Sequence, residues 1–168
     1  MSSQQPRIQK QGELFCAVSG VFYRAIDPQH RDAALAGSRS AGRYSPAGSP
    51  GLYLSSSPEG VEAAMIAHRD SRTPDLEIIE VEVLAEQIFD LRDSAARQAA
   101  DIRLDDAVAP WKQIAAEGGR PPSWGVRHRL EALGAHGLID PSRKRPGLWH
   151  LALFRWNGGS GPAAQVRD

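Results

Sequence analysis

The sequence predicts an α+β fold: a single domain built on a mixed or antiparallel sheet with flanking helices. Two observations predict it. Strand-like runs gather near both ends of the chain and helix-like segments lie between them, the segregated order of an α+β protein rather than the alternation of a doubly wound one. The second is length, since 168 residues can enclose one sizeable core and no linker or internal repeat divides them.

The elements follow in order. Residues 1–12 are mostly polar and read as a flexible arm. They contain no apolar stretch of the kind a secretory signal needs. Residues 14–18 and 21–26 are two short β-prone runs, separated by Ser19-Gly20, a turn signal. Asp27-Pro28 starts a turn ahead of a short helix over 30–36. Residues 37–51 hold Gly37, Gly42, Pro46, Gly48, Pro50 and Gly51. This is a long loop, and long loops in compact domains tend to carry function.

Residues 52–55 read as a short buried strand. Ser57-Pro58-Glu59 is a helix start, with serine as N-cap, proline at the first helical position and an acid in the first turn. The helix is expected to run to about residue 69, with Val61, Ala64, Met65 and His68 on one stripe. Residues 76–84 alternate Ile79, Val81 and Val83 with Glu80 and Glu82, the pattern of a half-buried strand, and 88–91 extend the sheet. Helices are expected over 93–100, over 109–117 with Gly118-Gly119 as the stop, and from Pro121-Pro122-Ser123 to Gly134. Residues 137–139 form a short strand, 140–147 a basic turn, and 148–156 a last and central strand. The glycine-rich tail, 157–168, reads as flexible.

Composition excludes several classes. Twenty basic and twenty acidic residues give a formal net charge of zero, so a basic nucleic-acid surface finds no support. No apolar run approaches the ~20 residues of a membrane span. The one cysteine, Cys16, lies in an apolar run and reads as a buried small side chain, which makes a reducing cytoplasm the default compartment. The five histidines have no metal-ligand spacing. There is no P-loop, no dinucleotide fingerprint and no nucleophile elbow.

Chemistry concentrates between residues 23 and 53. All three tyrosines lie there (Tyr23, Tyr44, Tyr53), and Arg24 and Arg43 each adjoin one of them. A guanidinium pairs bidentately with phosphate or carboxylate, and a tyrosine beside it offers a flat ring and a hydroxyl. Arg24 is either a surface residue of an alternating strand or a buried anion ligand; Arg43 is either a solvated loop tip or a second such ligand. Ser142, before a run of three cations, is a turn residue or a hydroxyl contact. His68 and His150 read first as core histidines. From the residues alone the reading is an α+β domain with an anionic-ligand pocket.

The ordered set Tyr23-Arg24-Ala25, Gly42-Arg43-Tyr44-Ser45-Pro46-Ala47-Gly48, Leu52-Tyr53-Leu54-Ser55, Ser57-Pro58-Glu59 and Gly137-Leu138-Ile139-Asp140-Pro141-Ser142 resembles the RES domain family. The resemblance covers most of the chain, and residues 13–156 are taken as the domain. It implies a core similar to ADP-ribosyltransferases and the toxin half of a bacterial toxin–antitoxin pair, with an Xre-type helix-turn-helix antitoxin as partner. It implies NAD as substrate, consumed by cleavage of the nicotinamide–ribose bond. ADP-ribose then passes to a protein acceptor, or NAD is simply destroyed with water or phosphate as acceptor. No metal, membrane or direct nucleic-acid contact is implied, and a homodimer is one arrangement in which the antitoxin could reach the site. Arg24, Arg43, Tyr53 and Ser142 carry over as the catalytic set; Tyr44, Ser55 and His68 join them as NAD contacts.

One family residue does not carry over. The family's glutamate falls on Ala64, four residues before His68. Glu62 lies about 200° and Glu59 about 140° around a helix from that position, so neither is a simple substitute. A carboxylate there would stabilise the oxocarbenium-like state of C–N cleavage. Another group takes its place, with Tyr53, His68 or Ser142 as candidates, or the reaction is slow, or the protein only binds.

Overall fold

In a computed structural model the described residues are 5–38, 40–62, 75–142 and 145–167. Seven strands form one sheet: β1 (Arg7–Gln11), β2 (Phe15–Ile26), β3 (Leu52–Ser55), β4 (Glu77–Asp90), β5 (Gly137–Pro141), β6 (Trp149–Leu153) and β7 (Ala163–Val166). A 3-10 helix covers Pro28–Ala33. Helix α1 begins at Pro58 and is described to residue 62. Then come α2 (Ser94–Ala100), α3 (Leu104–Val108), α4 (Trp111–Ala116) and α5 (Pro122–Ala132).

The strand order is β1-β2-β3-β6-β5-β4-β7, and β2 also pairs with β4. The sheet therefore closes on itself through β2, β3, β6, β5 and β4. The closure is uneven. β2 and β4 are antiparallel neighbours from Cys16↔Ile88 to Ile26↔Glu77, whereas β2 and β3 share one pair, Tyr23↔Ser55. The ring is zipped on one side and split on the other. All neighbours are antiparallel except β4 and β5, which run parallel over Ile88↔Gly137 to Asp90↔Ile139. A parallel pair needs a crossover, and α2 to α5 supply it, with α2, α3 and α5 packed against one face.

Two cores result. Val18, Phe22, Ile26, Leu52, Leu54, Val81, Val83, Ile139, Trp149, Leu151 and Leu153 fill the ring. Phe22 meets Trp149 edge to face at 5.5 Å. Phe89, Leu91, Ala96, Ala107, Val126, Leu130, Leu138 and Phe154 fill the layer between the ring's outer face and the helices. The period-two alternation of β4 puts Ile79, Val81 and Val83 inward and leaves Glu80 and Glu82 exposed, as expected.

The α+β class and the mixed sheet match the reading from sequence. Several local expectations do not. Ser19-Gly20 is no turn: β2 runs straight through it, with Gly20 paired to Val83. Gly20 has φ +134, and a Cβ there would lie 2.9 Å from Pro6 Cα, so glycine lets the incoming chain cross rather than reverse. The flexible arm expected over 1–12 contains β1, paired to β2 from Arg7↔Ser19 to Gln11↔Phe15. The flexible tail expected from 157 contains β7, paired to β4. Both are short edge strands whose polar residues hid them, and both gain order from the long partner beside them. The helix expected over 109–117 is α4, and α3 before it was missed from sequence; the two are separated at Ala109-Pro110, where the residue before proline leaves helical geometry. Ser57 does cap α1, its Oγ accepting the Gly60 N–H at 3.2 Å.

Candidate functional site

Arg24 sits where the ring is split. Strand alternation puts it on the same face as Phe22 and Ile26, both buried in the ring core. Its register partner on β4 is Ile79, also buried. An arginine among these neighbours is costly, since a desolvated cation needs a partner. Its Nη1 donates to the Tyr53 carbonyl oxygen at 3.2 Å, across the gap between β2 and β3. Its Nε is buried and meets no acceptor among the described residues. No carboxylate there pairs with it either. Burial pulls its pKa below the ordinary value, but a guanidinium stays charged regardless. Among the described residues, the compensation of this half-buried cation is one neutral carbonyl.

Tyr53 is fixed from the other side. Its hydroxyl bonds Ser45 Oγ in a short contact and accepts the Tyr44 N–H at 3.1 Å. The glycines of the loop make room for it. A Cβ at Gly42 would fall 2.9 Å from the Tyr53 hydroxyl, and one at Gly51 would fall 2.6 Å from Ser45 Oγ and 3.2 Å from the Tyr53 ring. The loop is thus wrapped on the tyrosine. Burial raises the Tyr53 pKa above its ordinary value of 10.0, outweighing the two hydrogen bonds that lower it. The neutral phenol is the form the fold favours. Its contribution is present below the ordinary value and lost as pH rises through the higher folded value. A late component of the absorbance titration at 295 nm is therefore expected, accompanied by loss of thermal stability, and Tyr53→Phe removes both.

The other sequence-predicted residues are placed as follows. Arg43 points to the end of α3, its Nη1 donating to the carbonyls of Ala107 at 3.1 Å and Ala109 at 3.0 Å. It is a part-buried brace between the loop and the helical layer, not a solvated loop tip. Tyr44 is only 1 % exposed and its ring belongs to the helix-side core, so the expected stacking of Tyr44 on a ligand is corrected: a ring packed among apolar side chains has no free face. Ser55 is buried and its Oγ lies 2.9 Å from Nδ1 of His150, its cross-strand partner on β6. Asp140 is paired to His150 on β5 and is also buried, which gives an in-register row of Ser55, His150 and Asp140 over three strands. Ser142 closes the turn after β5: its N–H donates to the Leu148 carbonyl at 2.9 Å and its Oγ accepts the Arg145 N–H at 3.2 Å. Ala64, His68, Arg143 and Lys144 lie outside the described residues. Arg24 and Tyr53 are brought together, through the tyrosine's backbone rather than its ring. Arg43 joins them through the loop.

One residue was missed from sequence. Arg127 of α5 is buried, and its Nη1 donates to the carbonyls of Tyr44 at 3.0 Å, Ser49 at 2.8 Å and Pro50 at 3.1 Å. Beside it, Trp124 Nε1 donates to the Gly42 carbonyl at 2.8 Å and Ser123 Oγ donates to the Arg43 carbonyl. The available signal was an arginine on the Val126–Leu130 side of a helix, which reads as an ordinary surface cation. Among the described residues no group of three or more His, Cys, Asp and Glu side chains could hold a metal ion, and no helix is long and apolar enough to cross a membrane.

The fold and site define an α+β protein with a split, closed sheet and a half-buried arginine at the split, backed by a tyrosine-anchored glycine loop. Residues 21–167 match the RES domain, and the chain belongs to that family. It is also similar in structure to a chain in the crystal structure of the M. tuberculosis MbcT–MbcA toxin–antitoxin complex. There the TM-score is 0.61 and the identity 22 %, over 89 % of this chain and 82 % of that one. No curated protein matches the chain.

Proposed function

We propose that this protein is the toxin of a toxin–antitoxin pair and acts by consuming NAD in the cytoplasm. It cleaves the nicotinamide–ribose bond and passes ADP-ribose to a protein acceptor. The observation that carries the reading is the half-buried Arg24 guanidinium, with its buried Nε unpartnered among the described residues, at the split between β2 and β3 in a chain of the RES family. An anion entering the split would supply the charge that Arg24 lacks, and the pyrophosphate of a dinucleotide is such an anion. Tyr53 holds the opposite wall, Arg43 braces the loop that frames it, and Ser142 is available at the end of β5 for a ribose hydroxyl. The structural likeness to a toxin–antitoxin complex supports an antitoxin as the partner that keeps the activity in check; an Xre-type helix-turn-helix protein is the expected kind.

Ala64 favours a second reading. Without the family carboxylate, transition-state stabilisation is weaker than ground-state binding, and a protein that binds a nucleotide or the antitoxin without turnover fits the same pocket. Incubation of the purified protein with adenylate-labelled NAD and bacterial lysate separates the readings. A labelled protein band supports transfer. Free ADP-ribose or its phosphate with no band overturns transfer and leaves NAD destruction. Intact NAD over hours overturns the enzymatic reading in favour of binding.

A further inference from the structure

We infer that Arg127, outside the cleft and untouched by the chemistry above, is the positioning residue of this site: it sets the conformation of residues 42–50 and so the placement of Arg43 and Tyr53. The inference rests on the NAD reading for its kinetic consequence but not for its structural content.

The loop has its two ends tied without Arg127. Ser38 N–H donates to the Gly51 carbonyl and Gly51 N–H donates to Ser38 Oγ, each at 3.0 Å. Between those ends the described residues make two short internal contacts, the Gly42–Ser45 bridge and the Ser49 N–H donating to the Pro46 carbonyl at 3.0 Å. A glycine- and proline-rich segment with so few internal bonds does not choose one conformation by itself. The Tyr53 hydroxyl holds Tyr44 and Ser45 at the tip, and α5 fixes the carbonyls of both limbs. Three consecutive loop carbonyls, at Gly42, Arg43 and Tyr44, face Trp124, Ser123 and Arg127 in turn. Those at Ser49 and Pro50 return to the same guanidinium. Arg127 thus grips both the outgoing and the returning limb of the loop with one planar fork.

The rest of its surroundings lock the fork in place. Nε pairs with Glu131 Oε1 at 3.0 Å one turn along α5, Nη2 donates to the Phe154 carbonyl at 3.4 Å, and the guanidinium carbon lies 4.8 Å from the centre of the Phe154 ring. Glu131 is half exposed while Arg127 is buried, so the ion pair is the solvent-side end of the arrangement and the loop carbonyls are its interior end. A lysine in this place is a poor replacement: one ammonium offers three donors and no plane.

The test uses the full chain with Arg127→Lys, Arg127→Gln and Glu131→Gln, read by amide hydrogen exchange and by NAD kinetics. The lysine variant is included as the milder change, and thermal unfolding checks that both variants fold. In a folded Arg127 variant the amides of Gly42, Ser45 and Ser49 should exchange about tenfold faster or more, while amides of β2 and β4 keep their protection. KM for NAD should rise about tenfold with kcat changed far less, since the loop contributes to holding the ground state. Glu131→Gln keeps an amide oxygen for Nε to meet, so it should shift both by clearly less than either Arg127 variant. Unchanged loop exchange in a folded Arg127 variant overturns the inference whatever NAD does. Inert NAD with the unaltered protein overturns the NAD reading and the kinetic consequence, and the exchange result still decides the positioning role. A uniform loss of protection across sheet and loop overturns it too, because that is a stability effect without positioning.

Discussion

Replacing Arg24 with methionine is expected to cut NAD turnover by about a hundredfold or more while leaving the unfolding temperature unchanged or higher. The two halves follow from one fact. The guanidinium lies on the apolar inner face of β2 with, among the described residues, one backbone carbonyl as acceptor and a buried Nε without one. As a structural element it is a poor one, and a thioether of similar length removes the desolvated charge while preserving the packing. A gain of about 1 kcal/mol would raise the midpoint by roughly 2–4 °C for a chain of this size. As an anion ligand, in contrast, methionine has nothing to offer. Calorimetry together with NAD turnover decides the matter. A midpoint several degrees lower with turnover retained would mean that Arg24 serves the fold and that the pocket is elsewhere.

Two positions earlier on the same strand the expectation reverses. Phe22 is fully buried, meets Trp149 edge to face, and lies at the centre of the ring core. Phe22→Ala is expected to cost about 3–5 kcal/mol, because the closed ring has little freedom to collapse into the cavity. The midpoint should fall by roughly 10 °C or more. Urea unfolding with an unchanged slope would locate the loss in the folded state. A loss below about 1 kcal/mol would mean that the strands rearrange to fill the space, contrary to a ring zipped by the long β2–β4 pairing. Arg24 and Phe22 share one face of one strand, so the pair separates what β2 does for the site from what it does for the fold.

How much of this was legible in the sequence depends on the range of the interaction. The alternation in β4 and the Ser57-Pro58 start of α1 are local signals and could be read directly. The continuity of β2 could not, because Ser19-Gly20 is a turn signal by composition and only the crossing at Pro6 reveals what the glycine does. β1 pairs with the next strand but carries a single apolar residue, Ile8, and β7 owes its order to β4, about eighty residues away, with only Ala164 and Val166 to announce it. In the site, the Arg-Tyr pairs marked the right stretch but not the roles within it. Tyr44 and Tyr53 look alike in sequence; the loop buries the first in the helix-side core and wraps around the second. Arg127 was invisible for the strongest reason. Its acceptors in the loop are backbone carbonyls 77 to 83 residues away, and carbonyls have no sequence signature.

The split ring also has a consequence for the order of events during synthesis. Its third strand, β3, leans on β2 at a single pair and takes its other support from β6, along Leu52↔Leu153 to Ser55↔His150. β6 is made some hundred residues after β3, near the end of the domain. Until it emerges, the wall that carries Tyr53 has almost nothing to pair with, although β2 and β4 can already meet. A nascent chain therefore carries Arg24 in a formed hairpin-like pair but lacks the opposite wall of the cleft. Whatever the protein does to its ligand, it begins to do only once β6 has been made.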